Sequence, residues 1–178
     1  FSAVMSPDEQ HLATACADGN LRLWRLDQDA QPAATFQRTG TADSLRFTAD
    51  GRRLFLVEWD APRSSAQAAL LDAFTGRPEL PTASNVICAA LSPDDRWLAV
   101  ARADHSLEVI ATQSGQSLNI SNAHTARIES LDFNADGAVL LSAGRDRAVS
   151  VQGVGAGYLH PAGEERCLLG RRQAGAGG

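Results

Sequence analysis

The 178-residue sequence contains no lysine; all 16 basic residues are arginine, against 21 acids, giving a net charge of -5. That balance offers no basic field to gather phosphates and argues against a nucleic-acid partner. No apolar run approaches the roughly 20 residues that carry a helix across a bilayer, so no membrane span is expected. Three cysteines, Cys16, Cys88 and Cys167, are too few and too scattered for a disulfide framework or a zinc knuckle. Cys16 and Cys88 sit in apolar stretches, where a cysteine packs as a small hydrophobe. Unpaired thiols point to a reducing, cytoplasmic compartment. The GxSxG elbow, the HExxH helix and the phosphate loop GxxxxGK[ST] are all missing. Of four histidines, His11 and His105 fall beside turns and are expected to be solvated, and no pair has metal-ligand spacing. No catalytic residue, metal or cofactor is therefore expected.

What is present is an ordinary globular composition, 44% apolar and 21% charged, organised by a repeat. Four segments read alike: Met5-Ser6-Pro7-Asp8, Phe47-Thr48-Ala49-Asp50, Leu91-Ser92-Pro93-Asp94 and Phe133-Asn134-Ala135-Asp136. Their aspartates are 42, 44 and 42 residues apart. Ten residues after each comes a second aspartate: Asp18, Asp60, Asp104 and Asp146. A leucine column, Leu12, Leu54, Leu98 and Leu140, follows the first aspartate by four residues.

Local chemistry makes these units strands. Ser, Thr or Asn, then Pro or Ala, then Asp is turn chemistry, and Asp18-Gly19 is a strong hairpin signal. Beyond the second turn, Leu21-Arg22-Leu23, Leu107-Glu108-Val109 and Val149-Ser150-Val151 alternate with period two. Fourth-strand candidates are 33–36, 77–80 and 117–120. Each unit is a four-stranded antiparallel meander that cannot bury both faces alone, and stacking neighbours solves this. Four strands in a period of about 40–45 residues fit a β-propeller. The second copy departs most. From Asp60 to the Leu71 column it has eleven residues where the others have six, and the insertion around Ala61-Pro62-Arg63-Ser64-Ser65 reads as a surface loop.

On these motifs the sequence resembles the WD-repeat β-propellers across roughly residues 1–160. Asp18-Gly19-Asn20-Leu21-Arg22-Leu23-Trp24-Arg25 looks like the family's second-hairpin signature, with Arg25 where Asp is usual. Ala123-His124 looks like its Gly-His dipeptide, and Ser6-Pro7-Asp8 and Ser92-Pro93-Asp94 match its first turn. The resemblance implies a hydrogen-bonded set of His, Ser or Thr, Asp and Trp in each blade. Carried over, the first copy has Thr14, Asp18 and Trp24; the fourth has His124, Ser142 and Asp146, with Gln152 in the Trp column. The second keeps Asp60 and the third Asp104. Degenerate blades are expected to be looser than the first.

The expected architecture is all-β: about four consecutive four-stranded antiparallel blades (1–40, 41–83, 84–122 and 123–160) forming part of a larger, commonly seven-bladed propeller. Residues 161–178, rich in Gly and Arg, are expected to form a flexible tail. The chain begins at Phe1 and is expected to belong to something longer, with the remaining blades coming from upstream sequence or another chain. By resemblance the function is a non-catalytic protein-interaction scaffold or sensor module. It would take a protein or peptide partner through the propeller's top face and loops, with Arg127 and Arg145 as candidate contacts, within a larger signalling or regulatory protein. The alternative is a lactonase-like or periplasmic-type propeller with a small-molecule or metal site in the central channel; small apolar first-strand residues such as Ala3-Val4 and Ala89-Ala90 argue against it. The arginine-only, alanine-rich composition leads to the expectation of a GC-rich bacterial source.

Overall fold

The computed structural model describes residues 2–27, 31–60, 63, 65–120 and 123–154. The tail assigned to 161–178 lies outside the described residues, as do Gly155, Gly157, His160 and Cys167. Fourteen strands and no helix are found among the described residues. The first blade is β1 (Ser2–Met5), β2 (His11–Ala15), β3 (Asn20–Arg25) and β4 (Ala34–Gln37), paired in that order. A seven-stranded sheet follows: β5 (Thr41–Phe47), β6 (Arg53–Trp59), β7 (Ala66–Asp72), β8 (Ala83–Leu91), β9 (Trp97–Arg102), β10 (Leu107–Ala111) and β11 (Ser117–Ile120). The last blade is β12 (Ile128–Phe133), β13 (Val139–Gly144) and β14 (Val149–Gly153).

The seven-stranded sheet is two blades joined through β8. The start of β8 pairs with β7 (Ala66↔Val86, Ala68↔Ala83), and its remainder pairs with β9 from Val86 onward. Asn85 turns left-handed at the bend, with φ 56°. Residues 77–80, expected as a fourth strand, make one bridge, Leu71↔Pro78. Residue counting explains this. The second copy gains five residues at its second corner, yet the following aspartate is displaced by only two. Three residues are therefore missing from its outer stretch, and β8 extends backward to pair where a full fourth strand is lacking.

The first corner of every repeat is built alike. Asp8, Asp50, Asp94 and Asp136 each accept the amide two residues on, at 3.0, 3.0, 3.1 and 2.8 Å. The residue two before each aspartate accepts the amide that starts the second strand. Ser6, Thr48, Ser92 and Asn134 take the amides of His11, Arg53, Trp97 and Val139 at 2.9–3.1 Å. Ser6, Thr48 and Ser92 are buried, so these side chains satisfy amides that the hairpin bend would leave unpaired.

Three hydrophobic clusters fill the spaces between consecutive blades. Ala13, Ala15, Leu21 and Leu23 of the first blade meet Leu45, Leu54, Leu56 and Leu71 of the second. Phe55, Val57, Ala68 and Leu70 point the other way, onto Val86, Leu98 and Val100. Ala99, Ala101, Leu107 and Val109 then meet Ile128, Phe133 and Leu140. β6 and β9 thus bury both faces, which their near-continuous apolar runs encode. Each fully buried Leu contributes about 1.5–3 kcal/mol. The first strands pack in succession, β1 on β5 and β8 on β12. His11, expected to be solvated, instead sits edge-on to Phe74 at 5.4 Å with its side chain 17% exposed.

The residue after each first-corner aspartate is left-handed in all four copies: Glu9 (φ 57°), Gly51 (69°), Asp95 (60°) and Gly137 (72°). Glycine suits that backbone best, and other L-residues lose about 1 kcal/mol there. Asp95 offsets that cost by crossing to the second blade, where it takes Arg46 Nη2 at 2.5 Å and the Ala49 amide at 2.5 Å. Glu9 has no such partner among the described residues. Glu9→Gly should therefore stabilise the chain by about 1 kcal/mol in urea unfolding. Asp95→Gly should destabilise it, because charge-assisted bonds worth about 1.5–3 kcal/mol are lost. Equal effects of the two substitutions would contradict this account.

Candidate functional site

Because the strands alternate in direction, the incoming connections and the second corners of all blades lie at the same end. The second-corner aspartates are each satisfied locally. Asp18, Asp104 and Asp146 accept the amides of Asn20, Ser106 and Ala148 at 3.0, 3.0 and 3.1 Å, and Asp60 accepts that of Ser65 at 2.8 Å.

The residues assigned to blade hydrogen-bonded sets come together in part. In the fourth blade His124, its side chain fully buried, places Nδ1 3.0 Å from Asp146 Oδ1 and Nε2 2.8 Å from Ser142 Oγ. Asp146 also accepts the Thr125 amide at 3.0 Å. Gln152 reaches Ser150 instead of Ser142. In the first blade Trp24 Nε1 donates to Thr14 Oγ1 at 2.9 Å, while Asp18 turns outward and pairs with Arg22 at 2.5 Å. Asp104 bonds Ser106 Oγ, and Asp60 bonds Ser65. Asp18, with its side chain 45% exposed, and Asp104 both lie on the surface.

The second and third blades carry ties that sequence reasoning missed. Arg38, on the connection entering the second blade, makes a two-point contact with Glu58 at the end of β6, at 2.9 and 3.2 Å. Glu58 is 4% exposed. In the third blade Arg102 bonds the Ser84 carbonyl on the entering segment at 2.6 Å, and also Glu108 on β10. These arginines fix incoming chain to hairpin as His124 does in the fourth blade. A lone acid ending the run Leu54-Phe55-Leu56-Val57 was the available signal, since a buried carboxylate requires a cationic partner.

A bulge recurs at one position of the first strands. The register skips Asp43 in β5, Ile87 in β8 and Glu129 in β12, each seven residues before the first-corner aspartate. Bulges re-aim side chains. Here two of the three present an acid to an arginine of the same blade: Asp43 lies 3.6 Å from Arg63, and Glu129 lies 2.5 Å from Arg145 Nε. Arg127 Nε lies 3.4 Å from the same Glu129 oxygen, close enough for an ion pair but without hydrogen-bond geometry. The Arg145 amide donates to the Arg127 carbonyl at 2.9 Å. Arg127 and Arg145 therefore stand together over one bulge acid, with side chains 43% and 67% exposed. Beside them Arg147 is exposed in a left-handed backbone, φ 61°.

Electrostatics follow this geometry. Burial opposes ionisation of Asp146, but the Thr125 amide, the His124 imidazole and the Ala148 amide outweigh it and bring the carboxyl down from 3.8 to about 2. Burial and the Glu129 carboxylate push the Cys88 thiol up to about 11, against the pull of Arg127. Cys88 is thus a neutral thiol, as its apolar setting implies.

The protein-family model described as "WD domain, G-beta repeat" matches residues 1–25, 75–110 and 115–151, more than half of the chain. Residues 26–74 fall between the matches, yet β5–β7 form a blade there. The chain is 25% identical over 157 residues to "Transcription factor unc-37" of Caenorhabditis elegans, covering 84% of this chain and 24% of that protein. It is 24% identical over 157 residues to "Protein groucho" of Drosophila melanogaster, covering 84% and 20%. It is 25% identical over 149 residues to "Apoptotic protease-activating factor 1" of Danio rerio, covering 82% and 11%. The chain spans about a quarter or less of the length of these relatives. All three are animal proteins, so they lend no support to a bacterial source.

Arg38→Ala leaves Glu58 buried without its cation and should cost about 3 kcal/mol, whereas the paired R38M/E58L replacement should cost much less. Equal losses in urea unfolding would show that the ion pair is not the tie. The Asp146 carboxyl has a lower pKa folded than unfolded. Its contribution is therefore present above pH 3.8 and is lost as pH falls towards about 2. Stability of D146N should fall less steeply over that window than wild type; parallel curves would refute the assignment.

Proposed function

The chain belongs to the WD-repeat family of β-propellers, and from that premise we propose that it is a non-catalytic module binding a protein or peptide partner through its second-corner face. The observation that carries this reading is the paired arginines over a bulge acid: Arg127 and Arg145 share Glu129 at a corner where the backbone is fixed and the side chains remain exposed. Arginine suits such a surface because it offers a planar donor set whose geometry survives a change of acceptor. Glu129 holds both guanidiniums in place, so a partner carboxylate or carbonyl meets preordered donors.

A net charge of -5 favours a protein partner over nucleic acid or an anionic membrane surface. The unpaired Cys16 and Cys88 favour the cytoplasm. The relatives' printed names, a transcription factor and an apoptotic protease-activating factor, support a place within a larger regulatory protein. The remaining blades of the propeller come from further sequence or from another chain.

Affinity capture should retain a protein partner on the wild-type chain and lose it on R127E/R145E, with the melting temperature of the double variant unchanged within a few degrees. Retention by both would remove the arginines from the contact. A wild-type chain that retains no protein, but whose melting temperature rises with a metal ion or small molecule, would sink the scaffold reading in favour of a channel site.

A further inference from the structure

Both ends of the described array present an apolar sheet face. On the last blade, register places Val139, Leu141 and Ala143 of β13 beside Val149 and Val151 of β14 on the side away from the third blade. Leu141 is 37% and Val149 57% exposed. On the first blade, Ala3, Met5, Leu12 and Trp24 share the side away from the second, and Met5 is 51% exposed. Apolar faces of this kind pack together at every internal junction. The same chain therefore has two ends able to pack on each other, within one molecule or between two.

A charge column decides which blade fits. The residue four before each first-corner aspartate faces the following blade: Val4 packs in the first junction, Arg46 crosses the second, and Ala90 packs in the third. In the second junction the residue after the aspartate of the following blade, Asp95, receives Arg46, an acid against a cation. The equivalent corner positions of the second and fourth blades are uncharged glycines, Gly51 and Gly137, which lie against Pro7 and against Asp94 and Ser92 of the blade before. The fourth member of the facing column is Asp132, exposed on the open side of β12. One of its oxygens takes the Phe133 amide at 2.9 Å. The receiving residue of this chain's own first blade is Glu9, also an acid and exposed. Closing the array on itself, or stacking a second copy end to end, sets Asp132 against Glu9.

We propose that the open face of the last blade takes a further β-blade carrying a basic residue after its first-corner aspartate, and that the Asp132–Glu9 repulsion excludes the chain's own first blade from that place. The occupant's contact is the Arg46–Asp95 pair with its charges exchanged. An arginine is compatible with the left-handed corner, since Arg63 and Arg147 take φ of 70° and 61° in this chain. The proposal rests on the reading that the remaining blades come from elsewhere, but it involves neither Arg127 nor Arg145. Its failure is therefore separable from that of the partner face.

The chain's own end faces supply the probe. E9R gives the first blade a basic corner opposite Asp132, and D132R restores opposite charge from the other side. Sedimentation velocity at low salt should show wild type and the E9R/D132R double variant monomeric. Each single variant should associate end to end about tenfold more strongly, and added salt should weaken that association. If one reversed residue prevents folding, judged by circular dichroism, the other single variant reads the same pair. Wild type associating as strongly as the single variants would show that a second copy is the occupant. Failure of the single variants to associate would show that a blade with a basic corner does not fit this face. Either result overturns the proposal.

Discussion

A blade in this fold buries one face against the blade before it and the other against the blade after it. The segment entering a blade must therefore be fixed to that blade's own hairpins before either face can pack. Three chemistries meet this requirement here. Arg38 and Glu58 do so with a two-point ion pair, Arg102 with a carbonyl and a carboxylate, and His124 with Ser142 and Asp146. What they share is a largely buried polar anchor whose hydrogen-bonding capacity is met from both the entering chain and the blade. Leaving such a group unpaired costs more than any one bond contributes. The same demand selects a partner for whichever residue occupies the anchor, so its identity can drift while the tie persists. The expected loosening of degenerate blades rested on the loss of particular residues, and these alternative ties remove its premise.

The two ends of the blades are built on different terms. At the first corner all four copies use one device: a hydroxyl or amide side chain receives the amide that starts the second strand, and an aspartate caps the turn. At the second corner the aspartates persist, but the residues around them diverge: Gly19, Arg63, His105 and Arg147 occupy left-handed positions there. Non-glycine residues in that backbone conformation are sustained at the expense of local strain. The bulges place Asp43, Ile87 and Glu129 at the same end. One end is uniform because it sets the frame, and the other varies because the frame leaves it free to vary.

The architecture was legible because a turn aspartate, its preceding hydroxyl and a leucine column recur at fixed spacing, and those residues do the local work the spacing implies. The bulges were not legible. An extra residue in the first strand occurs in three copies, so it alters no interval between aspartates. The fate of 77–80 was hidden in arithmetic, an insertion of five partly cancelled by a loss of three, and only pairing with β8 shows what replaced it. His124, Ser142 and Asp146 converge in the fourth blade, where the resemblance extends to all three residues. Arg38 with Glu58, and Arg46 with Asp95, escaped notice because each pair joins residues 20 and 49 apart, and no local pattern links them.

Repetition creates a problem that packing alone does not solve. If every blade presents the same kind of apolar face, each face fits any blade, and order along the array has no thermodynamic basis beyond covalent connection. Order at the ends, where connection is absent, must then come from what differs between junctions. One such difference lies where Arg46 of the second blade meets Asp95 at the corner of the third, whereas the equivalent corner residues of the second and fourth blades are uncharged glycines. A like-charge encounter in a partly dry junction is costly because neither carboxylate keeps its water and neither gains a partner. One residue per blade can therefore bias which blades become neighbours, leaving the hydrophobic face to supply the bulk of the stabilisation.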